Sequence, residues 1–189
     1  RTDANSATLW DAETGESLRR FSHQDDNVVS GGFSDDGERI LTIGITARVW
    51  DADNGELLAE SPDQTEIPSW GAFAAEGQLV VIVGANGATS VWNTATQGWF
   101  SQLEGTTSSA PGAAFSPDRR LYVTVMFNQV FVWDLLTYTK KLTLSHLLHI
   151  SRAEFGPDGQ SIVTVSNGRA HLWNLPNGTE RAAFGSGSL

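Results

Sequence analysis

The sequence predicts an all-β chain assembled from repeated four-stranded antiparallel units, and two markers carry that prediction. A Trp followed by Asp or Asn recurs at Trp10, Trp50, Trp92, Trp133 and Trp173, at separations of 40, 42, 41 and 40 residues. A Phe followed by a turn-forming segment keeps step with it, at Phe33-Ser-Asp-Asp-Gly37, Phe73-Ala-Ala-Glu-Gly77, Phe115-Ser-Pro-Asp-Arg119 and Phe155-Gly-Pro-Asp-Gly159. Each Phe precedes the next Trp by 17 to 19 residues. Two markers in fixed phase over four copies mean one supersecondary unit, repeated. No stretch reads as a convincing amphipathic helix.

The elements follow in order. The chain opens on what would be a third and a fourth strand, residues 8–10 and 17–21. In each full unit the first strand ends at the marker Phe and runs into a tight Asp/Gly turn, with Pro117 and Pro157 setting φ for its second position. The second strand is a short apolar run rich in β-branched residues, 39–43, 79–83, 121–125 and 161–165, as expected of a strand packed on both faces. The third strand, 47–50 or 170–173, alternates in and out up to the Trp. A turn containing Gly15, Gly55 or Gly178 leads to a fourth strand such as 56–60, 139–144 or 179–184. The units therefore span 22–61, 62–103, 104–144 and 145–184, after a partial unit over 1–21 and before a tail at 185–189.

These Trp-Asp and Phe-turn markers resemble the WD-repeat β-propeller family, whose blades are four-stranded antiparallel sheets of about 40–45 residues. The resemblance covers essentially the whole chain. It implies that the first strands line a central channel, and the small residues two before each marker Phe (Gly31, Gly71, Ala113 and Ala153) fit that place. It also implies structural roles for Trp10, Trp50, Trp92, Trp133, Trp173 and His146. The family often links a His, a Ser or Thr, an Asp and the Trp by hydrogen bonds. The last repeat comes closest, with His146, Thr164 or Ser166, Asn167 and Trp173. The first full repeat has His23 one place out of register with Thr42 and Trp50, and the middle two lack the His, so their stability should lean on packing.

About four and a half blades form an incomplete ring, and both end blades would expose apolar sheet. The chain opens Arg-Thr-Asp rather than Met. The expectation is that further blades come from a longer parent chain or, alternatively, from another subunit.

Composition narrows the function. The 189 residues are 40% apolar, enough for one well-buried core. The absence of cysteine excludes disulfides, thiolate metal sites and cysteine nucleophiles. The net charge of −10 is a poor match for nucleic acid or an anionic membrane. No apolar run approaches a bilayer span, so membrane insertion is not expected, and cytoplasm is the default compartment. Residues 1–118 carry 5 Arg and no Lys against 18 acidic side chains, whereas 119–189 carry 7 basic against 4 acidic. The acidic half reads either as solvated surface or as a footprint for a basic partner.

Catalytic and cofactor motifs are missing. Lys140 and Lys141 are the two lysines, and neither follows a Gly-rich phosphate loop. His146-Leu-Leu-His149 lacks the Glu of a zinc-protease motif and falls in a loop. Asp51-Ala-Asp-Asn-Gly55 is one residue short of a calcium loop and is the turn after the Trp. No strand–elbow–helix frames a Ser nucleophile. No enzyme activity, cofactor or metal is expected.

What remains is a surface. In the resembled family, the loops before the first strand and between the second and third strands share one face, commonly the partner-binding face. Mapped onto this sequence, that face carries Asp25, Asp26, Asp63, Glu66, Trp70, Phe127, Asn128, Leu147, Leu148 and Arg152. Trp70 stands outside the Trp-Asp phase and reads either as a binding anchor or as a residue packed beneath its own loop. Phe127 replaces the polar turn residue found at Asn86 and Asn167. The expected function is a non-catalytic protein–protein interaction scaffold. The alternatives are a sensor or regulatory segment of a larger signalling protein and, further off, an enzyme with a channel site.

Overall fold

In the computed structural model, which describes residues 5–23, 27–62, 66–106 and 114–185, strands and tight turns account for nearly all ordered backbone. The strands are β1 (Ser6–Trp10), β2 (Ser17–Ser22), β3 (Ser30–Phe33), β4 (Arg39–Ile43), β5 (Ala47–Asp51), β6 (Leu57–Glu60), β7 (Pro68–Ala74), β8 (Leu79–Gly84) and β9 (Ala88–Asn93). They continue with β10 (Trp99–Thr106), β11 (Leu121–Met126), β12 (Gln129–Asp134), β13 (Thr139–Ser145), β14 (Ile150–Phe155), β15 (Ser161–Ser166), β16 (Arg169–Asn174) and β17 (Thr179–Phe184). A single helical turn, Ala75–Gly77, interrupts the strands between β7 and β8. The chain is all-β, with its strands in four antiparallel sheets.

Two compact units divide the chain: Arg1–Ala85 with Ser90–Phe100, and Asn86–Thr89 with Ser101–Leu189. The first holds the β1-β2 ribbon, the sheet β3-β4-β5-β6 and the neighbouring strands β7-β8-β9. The second holds β11-β12-β13 and the sheet β14-β15-β16-β17. Within β3–β6, β11–β13 and β14–β17 strands pair in chain order because each connection is a turn of a few residues, too short for anything but an antiparallel neighbour.

The Asp or Asn after four of the five marker Trp residues builds the turn that follows. Asp11 Oδ1 accepts from the backbone N–H of Glu13 and Thr14, Asp51 Oδ1 from Asp53 and Asn54, Asn93 Oδ1 from Ala95 and Thr96, and Asp134 Oδ1 from Leu136 and Thr137. Satisfying the turn's own donors is what a short acidic or amide side chain does best.

In the first unit one face of β3–β6, carrying Leu41, Ile43, Ala47, Val49 and Ala59, packs against Phe73, Val80, Ile82 and Trp92. Each Val, Leu, Ile or Phe among them contributes about 1.5–3 kcal/mol on burial. The close approach explains the small residues. A Cβ on Gly31 would lie 2.9 Å from the Leu41 carbonyl oxygen, and one on Gly71 would lie 2.9 Å from Ile43 Cδ1. The opposite face of β3–β6 meets Phe21, whose ring centre lies 5.7 Å from that of Trp50.

Trp10, expected to be structural, is 59% exposed, because β1–β2 is a two-stranded ribbon whose other face, bearing Phe21, is the packed one. The second strands β4, β8 and β11 are buried almost throughout, but β15 alternates, and Val163 is 38% exposed. That face of β15 has no sheet against it among the described residues. The outermost strands β2, β6, β13 and β17 carry charged pairs or single charges, Arg19-Arg20, Glu60, Lys140-Lys141 and Glu180-Arg181.

Candidate functional site

At one end of the second unit two loops are tied together by backbone. His146 N–H donates to the Asn128 carbonyl at 2.8 Å, and Ile150 N–H donates to that of Phe127 at 2.9 Å. The Asn128 amide donates to the His146 carbonyl at 2.7 Å, and Ser166 Oγ donates to that of Leu148 at 3.0 Å. The β11–β12 turn, the β13–β14 loop and the end of β15 therefore form one frame. On this frame stand three large apolar side chains: Phe127 is 73% exposed, Leu147 97% and Leu148 52%.

Phe127 holds φ at +54°, a left-handed conformation that costs a bulky residue energy. At the matching turn of the next sheet, Asn167 adopts φ +50°, which an Asn tolerates.

Beside this frame lies a cavity of about 360 Å³ lined by His146, Leu148, Arg169, His171, Trp173 and Glu180, among others. Its floor is a hydrogen-bonded chain. Trp173 Nε1–H donates to Thr164 Oγ1 at 2.8 Å, and Thr164 Oγ1 lies 2.9 Å from His146 Nε2. An indole only donates, so Thr164 Oγ1 accepts from Trp173 and shares a second hydrogen bond with His146 Nε2, whose direction follows the imidazole tautomer. His146 packs edge-on to Trp173 and to His171, with ring centres 5.0 and 4.7 Å away. Burial, and then the neighbouring His171, hold the His146 imidazolium below its ordinary range, with Glu180 pulling the other way. His171 Nδ1 donates to Glu180 Oε1 at 3.0 Å. Thr164 is fully buried and committed to both neighbours, so this chain fixes structure and does not present an activated nucleophile.

The same linkage is built elsewhere, and more fully than the sequence suggests. In the first full repeat Trp50 Nε1–H donates to Thr42 Oγ1 at 2.8 Å, and His23 Nε2 lies 2.7 Å from that oxygen, so the register offset of His23 is absorbed by its loop. Trp133 Nε1–H donates to Thr124 Oγ1 at 2.8 Å, and Thr124 donates to the Glu104 carbonyl where a His would stand.

The predicted face separates as follows. Phe127, Asn128, Leu147 and Leu148 come together on the frame. Arg152 is exposed on β14 and pairs with Glu154. Glu66 is exposed in the first unit, and Trp70 is half-buried within β7 opposite Val83, on a strand and not on a loop. Asp25, Asp26 and Asp63, together with Ala113, lie outside the described residues. Sequence reasoning missed Arg169, His171 and Glu180. Arg169, His171 and Trp173 alternate along β16, so period-two reading outward from the Trp would have put them on one face. Among the described residues no group of three or more His, Asp or Glu is placed to hold a metal ion, and no helix is long and apolar enough to cross a membrane.

Compared with protein-family models and with curated proteins, the chain matches none.

Proposed function

We propose that the four-stranded units are blades of a WD-repeat-type β-propeller, and that the chain serves as a non-catalytic protein-interaction scaffold. The repeat spacing, the antiparallel four-stranded sheets and the Trp–Thr–His linkages support the blade reading. The observation that carries the binding reading is the exposed apolar trio Phe127, Leu147 and Leu148 on a backbone-locked frame. Exposed apolar side chains grouped on rigidly held loops mark contact surfaces more often than single exposed ones do. A partner's aromatic or aliphatic side chain would displace water from this trio, and the polar groups around it would form the rim.

The test is a selection of displayed peptides on the whole chain, followed by the double variant L147D/L148D. Peptides should be recovered that lose at least tenfold in affinity for the variant, while its melting temperature stays within about 2 °C of the parent, as for solvent-facing substitutions. Failure to recover binders, or binders indifferent to the double variant, would overturn the reading.

A further inference from the structure

Among the groups lining the cavity beside the Leu147–Leu148 loop is one side-chain donor that no acceptor meets. Arg169 lines the cavity, and the Arg169 Nε–H is buried with no hydrogen-bond partner. The other ionisable groups facing the cavity are matched: Glu180 accepts from His171 Nδ1, and His146 Nε2 lies against Thr164. A desolvated guanidinium N–H without an acceptor is costly, and a ligand that supplies an acceptor recovers that cost. The rest of the wall mixes the apolar Leu147, Leu148 and Trp173 with the uncharged polar Ser145, Ser166 and Asn167.

The geometry points to a site for a carboxylate borne next to an apolar side chain, as at the C-terminus of a peptide ending in a leucine-like residue. The carboxylate would accept from Arg169, and the side chain would lie against Leu148 and Trp173. At about 360 Å³ the cavity is at the small end for ligand sites, which run to about 1,000 Å³, so it suits a single residue better than a large cofactor. Having both groups on one carbon lets one residue reach both walls. The negative charge of Glu180 is a repulsive neighbour, offset where His171 holds it. This inference deepens the interaction-surface reading above and rests on it, since Leu147 and Leu148 belong to both.

The experiment uses three probes on the whole chain, with the imidazole Cε1–H resonances of His146 and His171 followed by NMR. The probes are acetyl-Gly-Gly-Leu with a free carboxylate, its C-terminal amide, and acetyl-Gly-Asp-Leu-amide, whose carboxylate is internal. The free acid should bind at least tenfold more tightly than its amide, with the internal acid no better than the amide. In Arg169→Met, which keeps the stem and removes the charge, the acid should fall to the affinity of the amide. Equal binding of acid and amide, tighter binding of the internal acid, or a preference that survives Arg169→Met would overturn the proposal. If selected peptides depend on Leu147 and Leu148 while acid and amide bind alike, the carboxylate site alone fails. If the probes fail and no selected peptide depends on Leu147 and Leu148, the surface reading fails with it.

Discussion

Trp92 and Ile82 share one buried apolar cluster, and the indole N–H of Trp92 finds no acceptor there. In β4, β11 and β15 the corresponding residue is Thr42, Thr124 or Thr164, and each accepts from the Trp of its own sheet. Ile82 fills the position with a side chain that cannot accept. The site trades a hydrogen bond for packing, and the donor is left unsatisfied.

Replacing each of these Trp residues by Phe should therefore have unequal effects. Trp173→Phe loses a hydrogen bond as well as ring area, whereas Trp92→Phe loses ring area and removes an orphan donor. By urea denaturation Trp92→Phe should be the milder change by about 1–2 kcal/mol. Equal destabilisation would mean that the Trp92 donor is satisfied.

Phe127 predicts a stability–binding trade. Phe127→Asn places a residue tolerant of φ near +54° where a bulky aromatic now sits. The variant should gain about 1 kcal/mol of stability and lose affinity for any peptide that depends on Leu147 and Leu148. A Tm that falls would show that the Phe127 ring is packed in solution, not strained and exposed.

Gly31→Ala should destabilise although Ala suits a strand better than Gly. Its Cβ would sit 2.9 Å from the backbone oxygen of Leu41, which is held in the sheet and cannot swing away as a side chain can. A loss of about 1–3 kcal/mol is expected from this overpacking. No change in the unfolding midpoint would mean that β3 and β4 separate freely.

The pH dependence has two parts of different origin. His146 is held below its ordinary range in the folded chain, so the folded state favours its neutral form. Its contribution is present above about pH 6.5 and is lost as the pH falls below that value. The carboxyls of Asp36 and Asp158 are held below the usual range chiefly by hydrogen bonds, from the Ser34 hydroxyl and the Gln160 N–H respectively. Their contributions are present above about pH 4 and are lost as the pH falls through the lowered values. Urea midpoints should thus decline in two stages. In His146→Gln, the decline between pH 7.5 and 5.5 should shrink while the acid stage remains.

How much of this was legible in the sequence follows from where the signals come from. The Trp-Asp and Phe-turn markers set strand order because Asp11, Asp51, Asn93 and Asp134 close the turns they sit in, a purely local interaction. Leu147, Leu148 and Phe127 were assigned to one loop face through the family resemblance and not through any local interaction, and all three are exposed. Arg169, His171 and Glu180 were not foreseen, because their meeting depends on strand register between β16 and β17 and on what lies against that face. The exposure of Trp10 belongs to the partial first unit, where apolar sheet was expected to stand open, since a marker specifies the strand and not whether anything covers it.

The two lysines of the chain stand side by side on β13, the outermost strand of its sheet. Lys140 reaches back to Glu104 Oε2 at 2.7 Å and lies over the Phe131 ring, 4.1 Å from its centre. A foreign strand seeking the unpaired backbone of β13 would have to strip water from these ammonium groups and bring its own charges alongside them. Arg19-Arg20 and Glu180-Arg181 stand on β2 and β17 in the same way. At these three margins the charges work against cross-chain strand addition, so strands β2, β13 and β17 are poor templates for fibril growth even though apolar loops stand open elsewhere on the chain.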